Sequence, residues 1–100
     1  MNAEDYLLSC LSEECGEVVQ LVGKSHRFGL DDFYVAGPTN RQKLAQEIND
    51  IIAVAEMLTE FGVDLPGVFD REAQQAKKNK VYKYMAYSRE RGRLDQDTKG

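Results

Sequence analysis

The stretch Leu7-Leu8-Ser9-Cys10-Leu11-Ser12-Glu13-Glu14-Cys15-Gly16-Glu17-Val18-Val19-Gln20-Leu21 decides how this chain folds. At about 100° per residue, Leu7, Cys10, Leu11, Val18 and Leu21 fall on one narrow stripe, the signature of an amphipathic helix. The middle of that stripe is an acid, Glu14. Glu17 follows it about one turn on, and Glu13 sits at the stripe's edge.

The pattern recurs downstream. Projected the same way, Leu44, Ile51, Val54, Leu58 and Phe61 line a second stripe. Its centre is Glu47, and Asp50 takes the position relative to Glu47 that Glu17 takes relative to Glu14. Glu56, on the opposite side, reads as an ordinary solvent-facing charge.

Carboxylates on core faces are costly, because removing each ion from water costs several kcal/mol even after relaxation. Basic partners or bound cations offset that cost. Apart from Lys43 at the start of the second helix, neither stripe carries a Lys or Arg near the acids. Bound cations are the better remedy. The donors are all oxygens, which suit Mg²⁺, Mn²⁺ or Ca²⁺. A di-iron bundle wants Glu-x-x-His pairs, and the single histidine, His26, is not placed for one. Zinc wants Cys or His at ligand spacing, which Cys10 and Cys15 do not supply. The plainer alternative is a solvated acidic face. A second is a helical module that docks a basic helix or peptide.

Punctuation sets three helical stretches. The first is expected over about Ala3 to Lys24, with a loop from about Ser25 to Pro38. Thr39 and Gln42 form a capping box opening the second helix, which runs to about Phe61 with Gly62 at its C-cap. A turn over Val63–Gly67 follows, with Pro66 suited to a first helical turn. The third stretch is expected from about Val68 to Arg91, with room for a break near Lys77–Asn79. The polar tail after Leu94 is expected to fray. No strand-like alternation appears outside the loop. The fold class is all-α, a bundle of three to four helices per chain in one domain over residues 1–100. At 100 residues the core is small, so completion into a four-helix-type core by oligomerisation is expected.

The third helix carries a cationic complement. Lys80 lies among Phe69, Ala73, Ala76, Tyr84 and Tyr87, with Lys77 flanking. These lysines either reach substrate phosphates or snorkel from the helix edge. The tyrosines either bind phosphate or base, or are core aromatics. Lys24, His26 and Arg27 end the first helix; they complement its dipole or contact phosphate or base at the mouth of the site.

Net charge is −4, which argues against polymeric nucleic acid as a partner. Cys10 and Cys15, five apart on a helix, read as reduced core residues. Met1–Asp5 is acidic, no long apolar run follows, and the longest, Ile51–Ala55, is too short to cross a membrane. A cytoplasmic location is the expectation.

Glu13-Glu14-Cys15-Gly16-Glu17 followed by Glu47-Ile48-Asn49-Asp50 resembles the E-E-x-x-E … E-x-x-D signature of the all-α nucleoside triphosphate pyrophosphohydrolases, the MazG-like group. Lys77–Gly92 looks like that family's last helix, and the likeness spans about Tyr6 to Gly92. The stretch between the two acidic motifs is long for the family. There is no tryptophan, which excludes an indole stacked on the base.

The resemblance implies Mg²⁺ (with Mn²⁺ as substitute) on Glu14, Glu17, Glu47 and Asp50. Glu13 or Glu14 would serve as base, and Lys77 and Lys80 would steady the leaving group. Lys24, His26, Arg27 and Tyr84 are candidates for substrate contact from their own places on the helices, not from the resemblance. The implied reaction cuts a nucleoside triphosphate between its α and β phosphates. The implied assembly is a homodimer or homotetramer, located in the host cytoplasm if the gene belongs to a phage. A narrower relative, acting on phosphoribosyl-ATP or dUTP, shares these features.

Overall fold

A computed structural model describes Met1–Gln96. Within it the chain forms α1 (Ala3–Phe28), α2 (Asn40–Glu60) and α3 (Arg71–Glu90). There is no strand among the described residues, only an isolated bridge between Phe33 and Thr39 inside the loop. The fold is all-α, as expected. Two compact units are present, Met1–Asp64 and Leu65 onward. No helix among the described residues is long and apolar enough to cross a membrane.

In the first unit α1 and α2 form an antiparallel hairpin. Tyr6 and Leu7 near the start of α1 share a hollow with Met57 and Phe61 near the end of α2. Leu21 and Lys24 near the end of α1 share another with Gln42 and Lys43 near the start of α2. The apolar stripes meet as the periodicity requires, except at Phe61, which stays exposed where α2 ends. Leu7, Leu21 and Leu58 are buried, Leu58 completely. Cys10, Leu11, Val18, Leu44, Ile51 and Val54 are half-buried beside them. Glu56 is exposed. Cys10 and Cys15 are free thiols, but Cys15 is exposed, because it stands about 100° away from the stripe's centre at Glu14.

The first helix outlasts its expected end at Lys24. Nothing in Ser25-His26-Arg27-Phe28 breaks a helix, and Ser25 Oγ donates back to the Leu21 carbonyl at 2.7 Å. The helix stops at Gly29, whose φ of 97° is open to glycine and rare for other residues. The capping box at Thr39 and Gln42 is present in full, and Gly62, at φ 82°, follows the end of α2.

The loop between the helices is tied at both ends. Asn40 is 4% exposed, and its Nδ2 donates to the Gly29 carbonyl at 3.0 Å. The backbone N–H groups of Asn40 and Arg41 donate to the carbonyls of Asp32 and Leu30. Arg41 also pairs with Asp31 at 3.0 Å. At the loop's tip Val35 and Ala36 have φ of 47° and 57°, a region costly for a β-branched residue. Gly37 then turns so tightly that an added Cβ would stand 2.9 Å from the Tyr34 carbonyl oxygen.

In the second unit the third helix starts at Arg71, later than the expected Val68. Gly67 and Phe69 have φ of 77° and 67°, incompatible with a helix there. Pro66 accordingly lies in a turn rather than in a first helical turn. Asp70 is the N-cap, its side chain accepting from the Glu72 N–H. The helix runs through Lys77–Asn79 without a break, stitched there by Gln75 donating to Asn79 at 3.0 Å. Tyr84 and Tyr87 are exposed, not core aromatics of this unit. The last residues of the tail, 97–100, lie outside the described residues.

Asn40→Ala is expected to destabilise the hairpin by about 1–3 kcal/mol, because the Gly29 carbonyl loses its buried donor. Urea denaturation followed by circular dichroism measures this; a loss near zero would mean the tie is dispensable.

Candidate metal centre

The antiparallel crossing brings the two acidic motifs face to face. One carboxylate oxygen each from Glu14, Glu47 and Asp50 lie within 4.8 Å of one another. Oxygen ligands on opposite sides of a cation stand about 4 Å apart around Mg²⁺ and about 5 Å around Ca²⁺. All three side chains are half-buried. Glu17, also half-buried, reaches the same place from α1 one turn beyond Glu14.

These acids are short of donors. Glu14 Oε2 and Glu47 Oε2 are both buried and have no hydrogen-bond partner. Two carboxylates cannot satisfy each other, since both only accept. A proton resolves the conflict: protonated Glu47 can donate to Glu14 or Glu17. That hydrogen bonding, with burial and repulsion from the two neighbouring charges behind it, pushes Glu47 up to about 8. Asp50 is relieved differently, by Gln46 Nε2 donating to its Oδ1 at 2.8 Å. A divalent cation answers the same need as the proton. The orphaned oxygens, the spacing and the all-oxygen donor set fit a hard cation held by Glu14, Glu47 and Asp50, with Glu17 alongside.

Next to the acids the hairpin opens into a cleft of about 510 Å³. Glu17 and Glu47 line it with Gln20, Gln42, Gln46, Lys24 and Lys43, and Leu21 and Pro38 are its apolar members. Its size is that of a small-molecule site.

No family model, curated protein or solved structure matches the chain.

The remaining candidates are distributed by helical geometry. Glu13 is exposed and outside the set of close oxygens. Lys24 lines the cleft, whereas His26 lines a separate hollow with Val22, Ser25, Leu30 and Leu44. Arg27 lies over the Phe28 ring, 5.5 Å from its centroid. The basic cluster is thus split, because α1 continues through it and turns successive residues onto different faces. Lys77, Lys80 and Tyr84 are exposed on α3, in the second unit. Sequence reasoning passed over Gln46 and the cleft role of Lys43. Their signal was positional: Gln46 precedes Asp50 by one turn, and Lys43 precedes Glu47 by one turn.

The raised Glu47 carries a sign for stability. Between its ordinary value of 4.5 and about 8 the folded chain holds a proton that the unfolded chain has released. Its stabilising contribution is therefore full below 4.5 and is lost as pH rises through 8. The metal-free melting temperature is expected to fall across this window, and Glu47→Gln is expected to flatten the fall. Calorimetry of Mn²⁺ binding at pH 7 in buffers of differing ionisation enthalpy should show a proton released. A flat pH profile and no proton release would refute the shared-proton account.

Proposed function

We propose that the protein is a Mg²⁺-dependent hydrolase that converts nucleoside triphosphates to monophosphate and pyrophosphate. The observation that carries this reading is the convergence of Glu14, Glu47 and Asp50, with two buried carboxylate oxygens left without donors. The paired acidic motif supplying them resembles that of the MazG-like pyrophosphohydrolases. A docking surface for a basic peptide has no need of acids set inside apolar stripes and turned toward one another.

Glu14, Glu17, Glu47 and Asp50 hold the cation, and Mn²⁺ can substitute for Mg²⁺. When bound it supplies charge neutralisation at the phosphates and makes water more acidic, the two requirements of this chemistry. The chain's own residues do the rest. Gln46 orients Asp50 through its amide hydrogen bond. Glu13, outside the close set, is the carboxylate left to accept the proton of the attacking water. The water oxygen forms a bond to the α phosphorus while the anhydride bond to the β phosphate breaks. Its electrons leave with pyrophosphate, and the proton passes from the carboxylate to solvent. On α3, in the second unit, Lys77, Lys80 and Tyr84 are exposed.

The reading includes assembly. Leu8, Val19, Val22, Ile48 and Ile52 are all exposed on the hairpin. That much apolar surface on so small a unit favours a homodimer or homotetramer that buries it.

Glu14→Ala and Glu47→Ala are each expected to reduce pyrophosphate release from a panel of canonical, deoxy and oxidised nucleoside triphosphates by at least about 100-fold. Their helical circular dichroism should persist. Near wild-type turnover in either variant, or no release from any nucleotide by the wild type, overturns the hydrolase. The panel also separates a general enzyme from one restricted to dUTP or, with that substrate added, phosphoribosyl-ATP. Light scattering after size exclusion should give a dimer or tetramer mass; a monomer would refute the assembly.

A further inference from the structure

The chain's charge is divided unevenly. Residues 1–64 carry 12 acids against four Lys and Arg, a net −8, whereas residues 65–96 carry eight Lys and Arg against four acids, a net +4. Much of that excess is ordered along α3. At about 100° per residue, Lys77, Lys80, Lys83, Tyr84, Tyr87 and Arg91 fall within about 60° of one line along the helix and its C-cap. All six are exposed. The acids of the helix, Glu72 and Glu90, lie at the border of this face, about 80° from its centre. No ion pair or hydrogen bond engages Lys77, Lys80 or Lys83 among the described residues. Arg91 lies over the Tyr87 ring, 4.6 Å from its centroid, so charge and flat surface are joined there. Round the helix from this line, Val81, Met85 and Ser88 meet Arg93 and Leu94 at a hollow that Tyr84 borders.

A face that only keeps a helix solvated alternates its charges in sign, because like charges three or four residues apart repel. Lys77, Lys80 and Lys83 stand at that spacing, and no acid interrupts them on the line. The helix bears a repulsion that a polyanion would offset. The tyrosines narrow the choice of polyanion. A helix lying on an anionic membrane keeps its apolar residues on one side and its cations on another, whereas here rings and cations share one line. An acidic peptide would answer the lysines and leave the rings with nothing flat to cover them. Unpaired bases on a phosphate chain answer both, since bases stack on aromatic rings and phosphates meet cations. We propose that this face of α3 binds single-stranded nucleic acid, with Lys77, Lys80, Lys83 and Arg91 against phosphates and Tyr84 and Tyr87 against bases. Every base has a face to stack, so the contact does not read sequence. The overall charge of −4 averages over this basic helix; it lowers the affinity and does not remove the contact. The inference does not rest on the hydrolase reading.

Fluorescence anisotropy tests this. A labelled, mixed-sequence strand of about 12 nucleotides, as DNA and in a separate arm as RNA, is titrated with the full chain in EDTA, so that no cation at the acids can bridge to phosphate. Binding is expected at about 10⁻⁶–10⁻⁴ M. The slope of log affinity against log salt should be about −3, from about −0.7 for each phosphate neutralised. Lys77→Gln/Lys80→Gln/Lys83→Gln should flatten it to about −1. Tyr84→Ala/Tyr87→Ala should weaken binding about tenfold or more and leave the slope unchanged. Both variants should keep their helical circular dichroism. No binding of either strand by the wild type, an unchanged slope in the glutamine variant, or unchanged affinity in the alanine variant overturns the proposal. So does polyglutamate of equal charge that displaces the label as well as unlabelled strand does, which marks an acidic-protein surface, or equally tight binding to phosphatidylserine vesicles. The two readings fail separately. Strand binding that is unchanged in Glu14→Ala, without hydrolysis of any nucleotide, upholds the face and removes the hydrolase. Hydrolysis that depends on Glu14, without strand binding, does the reverse.

Discussion

Glu14 and Glu47 face each other across the α1–α2 hairpin, each with a buried oxygen that has no donor. The two acids sit in the stripes that hold the hairpin together, so in the register the tied loop sets, the helices bring them face to face. Leu7, Leu21 and Leu58 draw the helices together, and the same contact forces like charges into proximity. A proton on Glu47 relieves this, which is why that carboxyl is pushed up to about 8. A divalent cation held there would relieve it more fully, since it would neutralise several carboxylates at once, and would stabilise the hairpin by the same route.

The surrounding structure keeps that conflict in place. The loop is tied by Asn40 to the carbonyl that ends α1, and by two backbone hydrogen bonds to Leu30 and Asp32. These ties set where α2 starts relative to where α1 ends, and so set which turn of one helix faces which turn of the other. Shifting α2 by one turn would put Lys43 where Glu47 now stands. The left-handed backbone at Val35 and Ala36 is held between those ties. Gln46 is a finer device, fixing one oxygen of Asp50 from one turn away on the same helix.

Much of this was legible in periodicity. Residues three and four apart share a helical face in any context, so the stripes, the acids within them, the exposed Glu56 and the capping box at Thr39 were all readable before any packing was known. The errors fall where periodicity is silent. Ser25–Phe28 has neither a breaker nor a stripe to mark it, and it stayed helical. Val68–Asp70 contains no glycine or proline to end a helix, yet Phe69 adopts a left-handed φ that periodicity does not announce, and Asp70 took the cap. The cluster Lys24–Arg27 is compact in sequence and dispersed in space for the same reason that the acids converge: rotation along the helix.

The sequence by itself determined the helical class and the placing of acids on faces that must be covered. Those follow from local rules of geometry and solvation that act within a few residues. Only the tertiary structure decided which acids meet, that Lys24 and Lys43 share a cleft with Glu17 and Glu47, and that His26 does not. The register between helices depends on contacts between residues far apart in the chain, where a shift of one turn exchanges every neighbour and leaves the local pattern of each helix unchanged.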